Sequence, residues 1–379
     1  MIYREYGSTG VKVSALGFGG MRFPQELDAD GCAALVKAAY DAGITYFDTA
    51  IGYGRSEEVM GLAFKEMLKT RAQRPFYVSS KTFGSTPADV RRDFETSLKR
   101  LQIDALDFYH MWCVMTPDIY AKRKVAGALK EFEKLKAEGL VKHIVVSSHM
   151  NGHDIAEVLR DYPFDGVLLG YSAMNFAYRE AALDAASQLR RGVVVMNPLG
   201  GGIIPQHPQR FAFVKSQPQE TVVEGALRFL FNDPRITVTL VGLSNEKQLA
   251  EAVRAVDGLQ PLAPEALQRI RMSLKESFNE LCTGCAYCDE CPQGLPIPKL
   301  MDAYNQYMLT GEKKSIVNRL AWHWSILQEN NYLDRCSACG ACEKACTQHL
   351  PIITRLKEIR AEVERHLAEQ AASKKESRV

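Results

Sequence analysis

The sequence predicts an α/β protein: a (β/α)8 TIM barrel followed by a small, mainly helical, ferredoxin-like iron–sulfur domain. Three observations point there. From about residue 14 to 256, short β-branched runs alternate with amphipathic stretches. A Pro-containing break, LQPLAPEA, then ends the alternation. Beyond it lie eight of the chain's ten cysteines, in two tight groups. The expected domains are the barrel over 1–262, the cluster domain over 263–366 and a polar tail over 367–379.

The strand-like runs are Ala15–Phe18, Tyr46–Asp48, Phe76–Ser80, Leu106–His110, His143–Ser147, Gly166–Gly170, Val193–Met196 and Thr237–Val241. Helical patterns separate them. In Asp89–Leu101, for example, Val90, Phe94, Leu98 and Leu101 recur at three- and four-residue steps. Eight strands alternating with helices over this length suit a barrel. A doubly wound sheet would need a helix directly after its first Gly-rich turn. Here Met21–Pro24 follows Gly19 and Gly20 instead. Tyr3–Tyr6 and Val11–Val13 read as a hairpin closing the barrel floor. Pro264–Phe278 reads as a helix leading into the cysteines, and the polar end as a frayed helix or disordered tail.

A chain of 379 residues is comfortable for two domains. A formal charge of +2 without a basic patch argues against nucleic acid. The first residues lack the basic and apolar regions of a signal peptide, and no apolar run nears the ~20 residues of a membrane span. The expectation is a cytoplasmic protein with no membrane partner, whose cysteines stay reduced.

The cysteine groups carry the most specific signal. CTGCAYCDECP places Cys282, Cys285, Cys288 and Cys291 at three-residue steps, and CSACGACEKAC supplies Cys336, Cys339, Cys342 and Cys346. Three thiolates on one tight loop can each take an iron of a cubane, and in two-cluster ferredoxins the fourth cysteine ligates the other cluster. Cys282, Cys285, Cys288 and Cys346 would then hold one 4Fe–4S cluster, and Cys336, Cys339, Cys342 and Cys291 the second. Structural zinc prefers separated CxxC pairs. Pro292 follows Cys291 as ferredoxin runs have it, whereas Thr347 follows Cys346. The segment between the groups carries Leu300, Tyr304, Tyr307, Trp322, Trp324 and Leu327 and reads as helical. Cys32 and Cys113 read as buried apolar residues rather than ligands.

The segments YFDTAIGYGRSEEVMG and SSKT place Asp48, Tyr53 and Lys81 at the C-terminal ends of neighbouring strands. In order and spacing these segments resemble the aldo-keto reductases over about residues 1–256. With its cysteine groups, the whole chain resembles the branch of that family with a C-terminal two-cluster domain. The resemblance implies carbonyl reduction, with Tyr53 as proton donor. A phenol's ordinary pKa near 10 is high for two-way work, and a nearby Lys81 ammonium is expected to lower it while Asp48 fixes the lysine. The family's fourth catalytic residue is a His on the next strand, and here Trp112 falls at that position. His110 lies two residues earlier on the same face, about 6.6 Å deeper. Either His110 reaches the site, or it is a core histidine and Trp112 walls the pocket.

The resemblance also implies a nicotinamide site for NADP or NAD. Gly19 and Gly20 would border it. Ser147 and Ser148 stand where the family holds the carboxamide, Leu168 where a Gln usually helps, and Met196 in place of a stacking Tyr. Pro198, Leu199 and Gly201 belong to the phosphate loop, and Gly242, Ser244 and Gln248 to the turn after the last strand. Lys247 and Arg254 could read a ribose phosphate or be ordinary solvated charges. Val114–Lys124 and Ile203–Gln219 are the expected pocket loops. The leading expectation is an enzyme, an NAD(P)-dependent oxidoreductase coupling a small-molecule carbonyl, or another reducible organic substrate, to the clusters. A ferredoxin or flavodoxin-like carrier is an expected partner. The alternatives are an electron-transfer or assembly partner with an inactive barrel, and a carbonyl reductase with purely structural clusters.

Overall fold

The structure is a computed structural model describing residues 1–173, 179–257, 259, 261–277, 281–282, 288–327, 332–346 and 349–376. The chain divides into two compact units, the second beginning at Arg269. That boundary lies six residues beyond the expected one, inside the helix Pro264–Ser277.

Among the described residues of the first unit, eight parallel strands close into a barrel. They are β1 (Leu16–Gly19), β2 (Tyr46–Asp48), β3 (Tyr77–Thr82), β4 (Leu106–Val114), β5 (Val141–Ser148), β6 (Gly166–Gly170), β7 (Gly192–Met196) and β8 (Val238–Val241). Each pairs with its sequence neighbours, and β8 closes onto β1. All eight expected strands are present. Side chains alternate across each strand, so residues two apart share a face. Tyr46, Phe108, Val145, Leu168, Val194 and Val238 fill the barrel's inner layer.

The expected hairpin is present as Tyr3–Glu5 paired with Lys12–Ser14. Tyr6, between its strands, is fully buried and packs its ring 4.3 Å from that of Phe108. A Cβ at Gly166 or Gly192 would run into that ring. These two strand-opening glycines therefore make the room that lets the hairpin plug the barrel floor.

The helix Pro87–Leu101 starts where Thr86 accepts a hydrogen bond from the Asp89 amide at 3.2 Å. The same device overturns one expectation. Val114–Lys124 was expected as a loop, yet Val114 ends β4 and Pro117–Val125 is helical. Thr116 caps this helix through the Ile119 amide, and Pro117 is preorganised for the first turn. Ile203–Gln219 contains a short helix, Ile203–Gln206, and a turn, Ala212–Val214.

The second unit is helical throughout its described secondary structure. Ile297–Thr310, Lys314–Asn318 and Ile352–Glu376 bury Leu300, Met301, Ile316, Val317, Ile352 and Ile359. Asp302 accepts from both Arg319 and the Trp324 indole at 2.7 Å, which fixes the turn Arg319–His323. The tail expected from residue 367 continues the last helix to Glu376, where the i,i+4 pair Arg365–Glu369 supports it. Among the described residues, no helix is long and apolar enough to cross a membrane.

Candidate active site and cluster loops

Asp48, Ser79, Lys81 and His110 come from the inner faces of β2, β3 and β4, at the C-terminal ends where barrel active sites lie. All four are buried. The Lys81 Nζ donates to Asp48 Oδ1 and to the Thr49 carbonyl, each at 2.5 Å. Ser79 Oγ donates to the other Asp48 oxygen at 2.9 Å and lies 2.8 Å from His110 Nε2. Lys81, Asp48, Ser79 and His110 are thus one continuous polar chain. Tyr53 is half-buried on the loop after β2, with the Lys81 ammonium 4.8 Å from its ring centroid.

Burial sets the electrostatics. It lowers the Lys81 pKa and raises that of Asp48, each shift being opposed by the partner's charge. Burial, then the Asp48 carboxylate, pushes the Tyr53 phenol well above its ordinary value. This corrects the expectation that Lys81 lowers it. The ammonium is engaged by Asp48 and Thr49, and the desolvation of the phenol prevails. Burial, aided by Lys81, drives His110 well below the ordinary histidine value, so its ring is neutral.

Both residues expected to compete for the β4 position are accounted for. Trp112 stands beside Tyr53, edge-on with ring centroids 5.2 Å apart, and stacks on Phe83 at 3.9 Å. His110 lies below and, among the described residues, is linked to Asp48 through Ser79. Sequence reasoning missed Ser79, although its place two residues before Lys81 put it on the same strand face.

The expected nicotinamide residues divide. Ser147 Oγ is buried and has no hydrogen-bond partner among the described residues, above Val145 on the inner face of β5. That orphaned hydroxyl fits a carboxamide. Ser148 Oγ is already committed, donating to the Val114 carbonyl and accepting from the Met150 amide. Leu168 is core, and Met196 packs half-buried against the same layer. Gly19 and Gly242 face one another across β1 and β8, with only bare backbone between them. Gly20 is buried, and a Cβ there would meet Met60 and Ser56 at 2.5 Å, so it serves helix packing. After β7, Pro198 is buried and Leu199 half-buried, and Gly200, Gly201 and Gly202 all have positive φ (63°, 71° and 101°). Such a path suits glycine. Gln248 caps the Ser244 amide at 2.8 Å, and Arg254 is paired with Glu224.

In the second unit, Cys291, Cys336, Cys339 and Cys342 line one hollow, walled by Leu295, Ile297, Ile353 and Leu356. Ala338 (φ 54°) and Gly340 (φ 77°) turn the loop left-handed between its cysteines. Four thiols around an apolar-walled hollow are a donor set that fits an iron–sulfur cubane. Cys288 and Cys346 are buried, and the Asn305 side chain holds the Cys282 backbone by two hydrogen bonds of 2.8 Å. Cys285 lies outside the described residues. No three described His, Cys, Asp or Glu residues are grouped to hold a single metal ion. Cys32 is fully buried in the barrel unit, and Cys113 is half-buried beside a register shift in β4.

The aldo/keto reductase family model matches residues 15–275, and that of a 4Fe-4S dicluster domain matches residues 281–350. L-galactose dehydrogenase of Arabidopsis thaliana is 27% identical over 309 residues, covering 73% of this chain and 95% of its own. The uncharacterized oxidoreductase YrpG of Bacillus subtilis is 27% identical over 310 residues, covering 68% and 91%. The holo form of aldo-keto reductase AKR11C1 from Bacillus halodurans superposes with a TM-score of 0.62 over 72% of this chain and 96% of that one, at 23% identity. At that identity, the likeness speaks for the fold alone.

Proposed function

The chain belongs to the aldo/keto reductase family and carries a 4Fe-4S dicluster domain after its barrel; from that premise we propose a cytoplasmic two-part oxidoreductase in which carbonyl chemistry in the barrel is coupled to the clusters. The observation that supports it most is the buried polar chain from Lys81 through Asp48 and Ser79 to His110, set beneath Tyr53.

Each residue has a role that follows from its surroundings. Tyr53, its phenol held protonated, donates to the carbonyl oxygen of a small-molecule substrate. Lys81 and Asp48 fix the floor beneath its ring. Ser79 and the neutral His110 are positioning residues, because a doubly bonded carboxylate has one orientation to offer the lysine. Trp112 and Phe83 wall the substrate side. Ser147 receives the carboxamide of NADP or NAD, Met196 packs on the ring, and the Pro198–Gly202 loop and the turn at Gly242–Gln248 take the phosphates. Cys336, Cys339, Cys342 and Cys291 hold one cluster, and Cys282, Cys285, Cys288 and Cys346 the other.

When bound, the nicotinamide would exchange a hydride, and the two clusters would take up or return that electron pair one electron at a time. A ferredoxin or flavodoxin-like carrier would exchange them with the clusters. The test is carbonyl turnover at fixed nicotinamide, measured with the clusters held oxidised and then reduced. Coupling predicts different rates. Equal rates would make the clusters structural and overturn the coupled reading.

A further inference from the structure

The helix Pro117–Val125 follows β4 and so belongs to the face of the barrel where substrates enter. It carries three successive cations near its end. Lys122 is paired with Asp118 at 2.7 Å and Lys124 with Asp161 at 2.6 Å. Arg123 has no carboxylate partner among the described residues. It is half-buried, and its one hydrogen bond among the described residues runs from Nη1 to the Trp112 carbonyl. The Trp112 ring is the wall beside Tyr53. The other titratable neighbour of Arg123 is the half-buried Cys113, which burial keeps as the neutral thiol and which left-handed backbone at φ 56° places near the end of β4.

A guanidinium carries five N–H donors in a planar fork, and a single carbonyl uses one of them. Withdrawing such a cation from water without a counter-charge is costly. Burial accordingly depresses its pKa. Lysines on either side, more exposed, have each found a carboxylate, so the lack of one at Arg123 is not a shortage of acids on this surface.

We infer that Arg123 is an anion-recognising residue at the barrel mouth, and that the carbonyl substrate carries an oxyanion, carboxylate or phosphate, which the free edge of this fork receives. The inference rests on the carbonyl-reduction reading and narrows its substrate class. Arginine suits either anion because its fork meets two oxygens at once.

The test compares three aldehydes of one shape: para-carboxybenzaldehyde, para-formylphenyl phosphate and the neutral methyl ester of the first. The wild-type protein is expected to favour one or both anionic aldehydes in kcat/KM by about ten- to a hundredfold, the worth of a charge-assisted hydrogen bond. Which of the two is favoured separates the carboxylate from the phosphate. Arg123→Met should remove the preference, and Arg123→Lys should keep part of it. No preference in the wild type, or an equal loss on all three aldehydes in Arg123→Met, would overturn the inference and leave the arginine as a brace for Trp112. If no aldehyde turns over, carbonyl reduction itself fails. Thermal shift then decides the anion site alone: terephthalate or phenyl phosphate should raise Tm in the wild type and not in Arg123→Met. Equal or absent shifts would overturn it.

Discussion

Replacing Tyr53 by Phe is expected to cut carbonyl turnover by about 10²- to 10⁴-fold, the usual contribution of a positioned general acid. The substitution removes one oxygen and keeps the ring edge that packs on Trp112 and the face above Lys81. Folding and the thermal midpoint should therefore hold. The pH dependence has a definite sign. Burial and Asp48 raise the phenol's pKa well above its ordinary value. An acid with a raised pKa stays protonated as pH increases, so the wild-type reduction rate should show no loss through the neutral range from this group. Loss should begin only at strongly alkaline pH, as the phenol ionises. Retained turnover in Tyr53→Phe would remove it as the proton donor.

The second large effect is on metal content. Cys339 lines the hollow with Cys291, Cys336 and Cys342 and is solvent-exposed. Cys339→Ala removes a thiolate without opening a buried cavity. Iron in the anaerobically reconstituted protein should fall from about eight to about four atoms per chain, with one cluster's visible absorbance lost. Cys32→Ala is the control. Its thiol is buried in the barrel unit, where it accepts from Arg55, and iron should stay at about eight. An unchanged iron content in Cys339→Ala would rule out that ligand set.

The barrel was legible because its strands announce themselves twice, by β-branched composition and by regular alternation with helices. The hairpin and the helical character of the second unit were legible for similar local reasons. What was not legible depends on contacts between strands. Ser79 is an ordinary strand serine until β2 and β4 bring Asp48 and His110 to it. The competition between Lys81 and burial over the Tyr53 proton could not be weighed without knowing where the ammonium points. Gly20 and Ser148 stand in family positions, yet their surroundings commit them to packing and to backbone hydrogen bonds. Arg123 was hidden for the same reason: only the structure shows which of three adjacent cations has no carboxylate partner among the described residues.

Anaerobic titration of the iron-loaded protein with NADPH and then NADH asks whether one chain joins a nicotinamide-using barrel to two clusters. The visible absorbance of the clusters is the readout. Bleaching by at least one of the two nucleotides is expected, and the nucleotide that bleaches is the cofactor. Clusters that dithionite bleaches but neither nucleotide touches would contradict the coupling.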